Sequence, residues 1–258
     1  MNKLIQRNDD EGVAYLTLTR PEAYNSLSLE LMSELTEVLQ SISSDISVRV
    51  VVLKGAGRGF CSGHDLKEML SAADEAFYRL TFETCSLLMQ TIVSLPIPVI
   101  AQVHGVATAA GCQLVASCDL AYAADTSRFA TPGVNIGLFC STPMVALTRA
   151  IHPKHSLEML LTGELISAER AAQIGLVNEV VAAADLDAFV TSKANKIASK
   201  SRKTLQIGKE AFHQQRELSL ADAYQLCSSV MTSNMLIDDA QEGIDAFVNK
   251  RAPEWKHQ

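Results

Sequence analysis

The stretch HGVATAAGCQLVASCDLAYA, residues 104–123, decides the fold of this chain. Its pattern predicts the end of one strand, a turn of small residues, a short helix and the start of a further strand. Small residues in such a turn let a ligand approach the backbone closely. The side chain that would face this ligand is Gln113, an amide that neither takes up nor releases a proton near neutral pH. The stretch therefore predicts a ligand site that lacks the usual acid or base.

The same alternation of strand, turn and helix extends to both sides of this stretch. Apolar runs bounded by glycine or proline predict buried strands, and the segments between them have helical periodicity. The predicted strand segments are VAYLTLT (13–19), VRVVVLKG (48–55), PVIAQV (98–103), LAYAA (120–124) and GLVNEVV (175–181).

Two long helices are predicted in the first half of the chain. Segment 28–42 carries leucine and methionine at helical spacing, and a second helix runs from about Asp74 to Ser94, where LPIP ends it. After Asp185 the sequence shows helical patterns and no strand pattern. We therefore predict an α/β core over residues 1–190 and a helical C-terminal region over residues 191–258.

Composition places the chain among ordinary soluble enzymes. Of its 258 residues, 48% are hydrophobic and 20% are charged, and the length suits one large domain. The formal net charge of -7 argues against nucleic acid or a membrane as the partner, since anionic surfaces repel an acidic protein. An anionic ligand would have to be held by local basic residues.

No segment of the sequence predicts insertion into a membrane or export. No apolar run approaches the roughly 20 residues of a membrane span. The opening MNKLIQRNDDEG has no apolar core and no Arg- and Ser-rich amphipathic pattern. The six cysteines form no CxxC pair, which favours free thiols in a reducing compartment. We therefore expect a cytoplasmic protein.

Three further features have ordinary structural explanations. GAGRG (55–59) lacks both the Lys-Ser/Thr of a P-loop and the GxGxxG spacing of a dinucleotide-binding turn. His152 and His155 have no third candidate ligand near them in sequence, so no metal site is predicted. Asp119 lies between a predicted helix and a predicted strand, where an aspartate most often serves as a cap or turn residue.

Two turns of small residues suggest a more specific function. GAGRGFCSGHDL (55–66) and HGVATAAGC (104–112) each follow a buried strand and each open a helix. Amides at a helix N-terminus are unpaired and carry the positive end of the helix dipole. Two such amides directed at one carbonyl oxygen form an oxyanion hole, which stabilises an enolate or a tetrahedral anion. On the residues alone, close packing of the small side chains is the alternative explanation.

Five segments resemble the motifs of one family, in the same order and over nearly the whole chain. They are LTRPEAYNSLSLELMSEL (18–35), GRGFCSGHDLKEM (57–69), HGVATAAGCQLVASCDLAYA (104–123), LEMLLTGELISAERAAQIGLVNEVV (157–181) and EGIDAFVNKRAPEW (242–255). Together they resemble the enoyl-CoA hydratase/isomerase family, the crotonase superfamily. Cys61, Ser62 and the stretch FATPGVNIGLFCSTP (129–143) are most similar to the subgroup called enoyl-CoA hydratase domain-containing protein 3.

This resemblance implies a fold and an assembly. The fold is a crotonase-type α/β spiral of repeated ββα turns, followed by a helical C-terminal trimerisation region. The assembly is a homotrimer or a hexamer formed as a dimer of trimers. The implied ligand is an acyl-CoA thioester, with the coenzyme A moiety belonging to the substrate and no tightly bound cofactor.

The resemblance also assigns residues to the two halves of the ligand site. The oxyanion hole would consist of the backbone N–H groups of His64 and Ala110. Lys67 and Lys250 are the candidates for the coenzyme phosphates, which would explain how an acidic protein holds an anionic ligand. The adenine and ribose would lie near Glu22, Ala23, Tyr24, Ser26, Ser62, Gly63, Asp65 and Leu66.

The catalytic acids of the family are missing from this sequence. Hydratases of the family use two glutamates, and these positions are occupied by Gln113 and Gly133. A third position, an aspartate in related dehalogenases and dienoyl-CoA isomerases, is Ser141. His64, where the family mostly has a small residue, is the one titratable side chain near the predicted hole by sequence.

Three functions remain open on the sequence. The first is enoyl-CoA hydratase or isomerase activity with an altered or weak mechanism, because a positioned acid or base contributes about 10² to 10⁴ in rate. The second is acyl-CoA chemistry that needs no carboxylate, such as decarboxylation of a malonyl-type thioester. The third is acyl-CoA binding or scaffolding without catalysis.

Overall fold

The computed structural model of the protein describes residues 3–257. The strands of this range, in chain order, are β1 (Ile5–Asp10), β2 (Val13–Leu18), β3 (Val50–Gly55), β4 (Val99–Val103), β5 (Val106–Thr108), β6 (Leu120–Ala124), β7 (Arg128–Ala130), β8 (Ile166–Ser167) and β9 (Glu179–Val181). Six of them form a main sheet in the order β1-β2-β3-β4-β6-β9, and the other three form a sheet in the order β5-β7-β8. Every pairing in the main sheet is parallel except that of β1 with β2.

Helices follow most of these strands. They are α1 (Leu29–Ser43), α2 (Leu66–Ala72), α3 (Glu75–Ser94), α4 (Ala110–Ser117), α5 (Ser141–Ala150), α6 (Pro153–Thr162), α7 (Ala168–Gln173), α8 (Leu186–Ala198), α9 (Arg202–Gln215), α10 (Leu220–Met235) and α11 (Asp238–Val248), with short 3₁₀ helices at Pro21–Ala23 and Pro132–Ile136. Helix α3 begins where the sequence predicts it to begin. The Asp74 carboxylate accepts a hydrogen bond from Phe77 N at 2.9 Å and caps the helix.

The two faces of the main sheet are both buried, and strand periodicity divides the apolar residues between them. In β3, Val51 and Leu53 join the large core cluster formed with α1, α3 and α4, whereas Val50 and Val52 point to the opposite face. That opposite face is covered by α8, which contributes residues four apart: Leu186, Val190, Ala194 and Ala198. Continuous apolar runs in β3 and β4 follow from this double burial.

The ββα repeat is visible in how consecutive strands alternate between the two sheets. β4 lies in the main sheet, β5 lies in the second sheet, and α4 follows. β6 and β7 repeat this step, and the 3₁₀ helix at 132–136 and α5 come after them. This alternation places the start of α4 at the junction of the two sheets.

The helical C-terminal region is attached to the core by two buried basic residues. Arg202 Nε donates to Val48 O at 3.0 Å, and its Nη2 donates to Ser43 O at 2.9 Å. Lys209 Nζ donates to Ile92 O at 2.9 Å and pairs with Asp119 Oδ2 at 2.7 Å. The predicted boundary at residue 190 falls inside α8, which packs on the sheet, so α9–α11 are the helices that extend from the core.

Of the helices within residues 3–257, none combines the length and the apolar content that crossing a bilayer would require.

Candidate functional site

Backbone hydrogen bonds bring the two small-residue turns together. Phe60 N donates to His104 O at 2.9 Å, and Cys61 N donates to Val106 O at 3.1 Å. Thr108 closes the contact, since its N donates to Cys61 O and its Oγ1 donates to Ser62 O, both at 3.0 Å. The first turn therefore runs beside β5 as far as the start of α4.

Within residues 3–257, two backbone amides at this junction have no hydrogen-bond acceptor. Neither His64 N nor Ala110 N donates a hydrogen bond to any group of residues 3–257. The two lie close together, because a methyl group built on Gly63 would lie 3.2 Å from Ala110 N. Ala110 is also the first residue of α4, where the helix dipole is positive. This arrangement is suited to an anionic or strongly polarised oxygen.

The residue before Ala110 has an unusual backbone conformation. Ala109 has φ 49° and ψ -119°, a combination that non-glycine residues rarely adopt. Its N donates to Ala130 O at 2.9 Å and its O accepts from Gln113 N at 3.0 Å, so both neighbours hold it in place. The alanine is thus compatible with a free Ala110 amide, but the turn stores strain.

The His64 side chain is largely buried beside the junction. Its ring makes an edge-to-face contact with Phe82 at 5.5 Å between centroids, and its Nε2 has no hydrogen-bond partner within residues 3–257. Burial lowers the pKa of His64 from its ordinary value of 6.5 to about 4. The imidazole is therefore neutral at pH 7, where it is not a source of positive charge.

Gln113 lies one helical turn beyond Ala110 and is only 3% exposed. Its Oε1 accepts a hydrogen bond from the Cys85 thiol at 3.8 Å. Burial raises the pKa of that thiol to about 12, so the thiol remains a neutral donor. Gln113 also lines a cavity of about 1120 Å³ between the core and α9. The amide is thus fixed at the wall of this cavity.

The two other predicted acid positions lie on the segment that leads into α5. Gly133 is buried, and a Cβ built on it would lie 2.7 Å from Leu138 O and 2.9 Å from Cys140 Sγ. Ser141 is the first residue of α5 and is exposed, with its hydroxyl 3.4 Å from Phe139 O. The space that a longer side chain would need at position 133 is therefore filled by the chain itself.

The segments predicted to hold the coenzyme are joined in one surface. Ser62 N donates to Tyr24 O at 3.0 Å, and Leu27 N donates to Gly63 O at 2.7 Å. Asp65 caps α2, accepts from Ser26 Oγ at 3.3 Å and pairs with Arg20 at 2.7 Å. Burial opposes ionisation of Asp65, but Arg20 and the capped amides outweigh it and hold its pKa below the ordinary value.

The remaining members of that set are distributed differently. Glu22, Leu66 and Lys67 have exposed side chains beside this surface, and Ala23 is partly buried. Lys250 is exposed beyond the end of α11, and within residues 3–257 no hydrogen bond or ion pair joins it to the other candidates.

Sequence reasoning missed Arg58, which lies over the Tyr24 ring at 5.1 Å from its centroid. The glycines that flank Arg58 indicate a role for the backbone of GAGRG and do not indicate a role for the arginine side chain. Nothing in the sequence places that guanidinium on Tyr24, which lies 34 positions earlier in the chain.

Comparison with known proteins identifies the family. A family model described as enoyl-CoA hydratase/isomerase matches residues 8–258. The chain belongs to this family. It is 46% identical over 256 residues to the mitochondrial enoyl-CoA hydratase domain-containing protein 3 of Rattus norvegicus, covering 99% of this chain and 85% of the relative. These findings confirm the predicted superfamily and subgroup.

Solved structures confirm the predicted fold. The enoyl-CoA hydratase of Mycobacterium smegmatis superposes with a TM-score of 0.96 at 47% identity, covering 98% of this chain and 99% of that one. The human enoyl Coenzyme A hydratase domain-containing protein 3 gives a TM-score of 0.96 at 45% identity, with coverage of 98% and 100%.

The expected cytoplasmic location is wrong by the same comparison. The rat, mouse, frog and human relatives are all named mitochondrial. The expectation rested on the pattern of the first 12 residues and on the free cysteines, and free thiols do not distinguish the cytoplasm from another reducing compartment.

Proposed function

We propose that the protein binds an acyl-CoA thioester and polarises its carbonyl oxygen between the N–H groups of His64 and Ala110. The observation that carries the proposal is the pair of neighbouring amides that have no acceptor within residues 3–257, held by Gly63 and the start of α4. Such preorganised donors stabilise negative charge that develops on the thioester oxygen in an enolate or a tetrahedral intermediate.

The coenzyme portion is proposed to lie along the surface formed by residues 22–26 and 62–67. Lys67 and Arg58 are the exposed cations of this surface, and Arg58 would shield one face of Tyr24. Lys250 belongs to the helical C-terminal region, so we propose that it reaches coenzyme phosphates only in the assembled protein.

The reaction that this site supports is limited by its neutral side chains. Gln113 can orient a water molecule but cannot take its proton, and Gly133 carries no side chain. We therefore expect hydration of crotonyl-CoA to be slow. Loss of one positioned acid or base lowers a rate by about 10² to 10⁴-fold.

A second candidate is decarboxylation of a malonyl-type CoA thioester. Of the two carboxylates that line the cavity, Asp119 is paired with Lys209, and Glu217 lies beyond the end of α9. In this reaction the bond between Cα and the carboxylate breaks and carbon dioxide leaves. Its electron pair passes to the enolate, and a proton from solvent or a nearby donor then reaches Cα. No carboxylate base is needed, so turnover of malonyl-CoA but not of crotonyl-CoA would favour this candidate.

Binding and polarisation can be measured together. Calorimetry with crotonyl-CoA should show saturable binding, and the infrared band of the bound thioester carbonyl should move to lower frequency. Ala110→Pro removes one amide hydrogen at a helix position that tolerates proline. It should abolish the shift while circular dichroism stays unchanged.

Ala168→Pro is the matched control, because Ala168 is the first residue of α7 and is equally buried. This control should keep the carbonyl shift. Absence of binding at millimolar crotonyl-CoA would refute the acyl-CoA assignment, and an unshifted carbonyl in the wild-type complex would refute the oxyanion hole.

We further propose that the protein assembles as a homotrimer or a hexamer. No residue of α10 is buried, and large apolar side chains on α10 and α11 are exposed, among them Leu220 at 77%, Leu236 at 78% and Phe247 at 85%. Such a surface is typical of an interface. Light scattering should give the mass of three or six chains, and a monomer at micromolar concentration would contradict the proposal.

A further inference from the structure

We propose that the cavity beside Gln113 binds acyl chains that end in a carboxylate, so that the ligand is the CoA thioester of a dicarboxylic acid. This inference rests on the proposed acyl-CoA binding. It adds a recognition site at the far end of the acyl group, built from Arg149 at the end of α5 and Arg216 at the end of α9.

The interior of the cavity is apolar and large enough for an alkyl chain. Its volume of about 1120 Å³ slightly exceeds the range of about 300–1,000 Å³ that is typical of ligand pockets. The apolar side chains that line it come from α3, α4, α5 and α9: Met89, Val93, Val115, Val145, Leu205 and Phe212.

The cavity begins at Gln113, one helical turn beyond Ala110, and continues towards two arginines, while His64 and Ala110 themselves do not line it. Gln113 lies near the start of α4, and the lining continues past the end of that helix to Ala121. Along α5 the lining begins at Val145 and ends at Ala150. An acyl chain that passes Gln113 would therefore have to follow this wall to reach Arg149.

The two arginines at this end have charges that no carboxylate of residues 3–257 neutralises. Arg149 Nη1 donates to Val145 O at 3.1 Å, within its own helix. Arg216 Nη2 donates to Arg149 O at 2.7 Å and its guanidinium lies 5.6 Å from the Phe212 ring centroid. Neither forms an ion pair with any described acid. Two guanidiniums that share one rim can bind a carboxylate through charge-assisted hydrogen bonds.

The acids of the cavity wall do not cancel this preference. Asp119 is committed to Lys209 Nζ at 2.7 Å and to Val99 N at 2.7 Å, with His213 Nε2 at 3.7 Å from its other oxygen. Glu217, Arg149 and Arg216 are all exposed at the rim, so water and salt screen the three charges alike. Within residues 3–257 the two arginines are the cations of this cavity wall that form no ion pair with a carboxylate.

The test compares two thioesters of equal chain length, suberyl-CoA with a terminal carboxylate and octanoyl-CoA with a terminal methyl group. Calorimetry on the wild-type protein should show about tenfold tighter binding of suberyl-CoA at low salt, the effect of roughly one charge-assisted interaction. The preference should shrink as ionic strength rises.

Two variants locate the effect. Arg149→Gln and the double variant Arg149→Gln/Arg216→Gln should lose the preference for suberyl-CoA and keep the wild-type affinity for octanoyl-CoA, which also shows that the fold persists. The matched control is Arg79→Gln, an exposed arginine of α3 that does not line the cavity, and it should keep the preference.

Equal wild-type affinity for the two thioesters would overturn the inference and leave the proposed function intact. A preference that survives in both variants would also overturn it, by moving the recognition elsewhere. Failure of the wild-type protein to bind either thioester would instead overturn the proposed function on which the inference rests.

Discussion

Each of the two turns that form the junction places one amide of the proposed oxyanion hole, but their backbone conformations differ. In the first turn, Gly63 has φ +99° and no side chain, and a built Cβ would lie 2.8 Å from Ala109 Cβ. In the second turn, Ala109 has φ 49° and keeps its methyl group. At position 63 the backbone conformation suits glycine, but a side chain would collide with its neighbours. At position 109 the methyl group is accommodated, but the backbone conformation is strained. Gly63→Ala should therefore lower the free energy of unfolding, and Ala109→Gly should raise it.

The largest effect is expected from Gly63→Ala. The substitution combines a left-handed backbone with contacts that cannot relax, since Thr108 O and Ala110 N lie 3.0 and 3.2 Å from the new methyl group. We expect urea unfolding to show a loss of about 3 kcal/mol or more. Calorimetry should show no crotonyl-CoA binding, because the new methyl group would lie 3.2 Å from Ala110 N, beside the proposed site of the thioester oxygen.

Gly137→Ala separates the two causes of that loss. Gly137 has φ +78° and nothing within 4 Å of a built Cβ, so it carries the backbone cost without the collision. It should lose only about 1 kcal/mol and still bind the ligand. Equal losses in the two variants would show that the collision contributes nothing.

The next effect concerns His64, which has no counterpart in the second turn. Its folded pKa is about 4 and its ordinary value is 6.5, so the unfolded chain binds the proton more readily between these limits. The stability contributed by the neutral ring is complete above pH 6.5 and is lost as the pH falls to about 4. The loss should reach about 3 kcal/mol.

Urea unfolding at several pH values measures this dependence. His64→Phe keeps the backbone amide and the contact with Phe82 but cannot titrate, so its curve should lack the His64 component. Parallel curves for the wild-type protein and this variant would mean that His64 has the same pKa in the folded protein as in the unfolded chain.

Gln113→Glu tests the effect of replacing the neutral Gln113 amide by a carboxylate that can accept a proton. The new carboxylate could activate water, and we expect crotonyl-CoA hydration to increase by up to about 10²-fold, because the second acid is still missing. Burial raises the pKa of a carboxyl group, so the rate should rise with pH through that pKa. Gln113→Met, with a similar volume and no proton acceptor, should bind the ligand without any gain. A folded Gln113→Glu protein that binds and gains nothing would show that the cavity serves other chemistry.

Gly133→Glu is not a useful companion to that variant. Its φ lies outside the left-handed region, but a Cβ at this position would lie only 2.7 Å from Leu138 O and 2.9 Å from Cys140 Sγ. Restoring both glutamates of the family would therefore require the 138–140 segment to move.

The smallest effect is expected from Ala109→Gly. Relief of the positive φ returns about 1–3 kcal/mol, and the greater freedom of glycine in the unfolded chain removes about 0.5–1 kcal/mol. The net result should be a gain of roughly 1 kcal/mol, visible as a higher urea midpoint at unchanged slope. A lower midpoint would show that Ala109 is not strained, and the contrast with Gly63 would then disappear.

Much of the fold and part of the site could be predicted from local sequence. The continuous apolar run in β3 and the helical spacing in α3 predicted those elements, because a strand buried on both faces and a helix buried on one face leave different patterns in the chain. The resemblance of five ordered segments to one family predicts that His64 and Ala110 belong to one site. The location was predicted wrongly, because neither a short N-terminal segment nor free cysteines distinguish one reducing compartment from another.

By itself, the sequence determined the segments of β2, β3, β4, β6 and β9, the family, and the absence of acids at 113, 133 and 141, since these depend on residue identity and local periodicity. The edge strand β1 and the short strands β5, β7 and β8 were not predicted. Only the tertiary structure decided that Gly133 has no room for a side chain, that Arg58 lies on Tyr24, and that Arg149 and Arg216 meet at one end of a cavity. These features join residues far apart in the chain. Their distances depend on how helices pack on the sheet, and no local pattern records that packing.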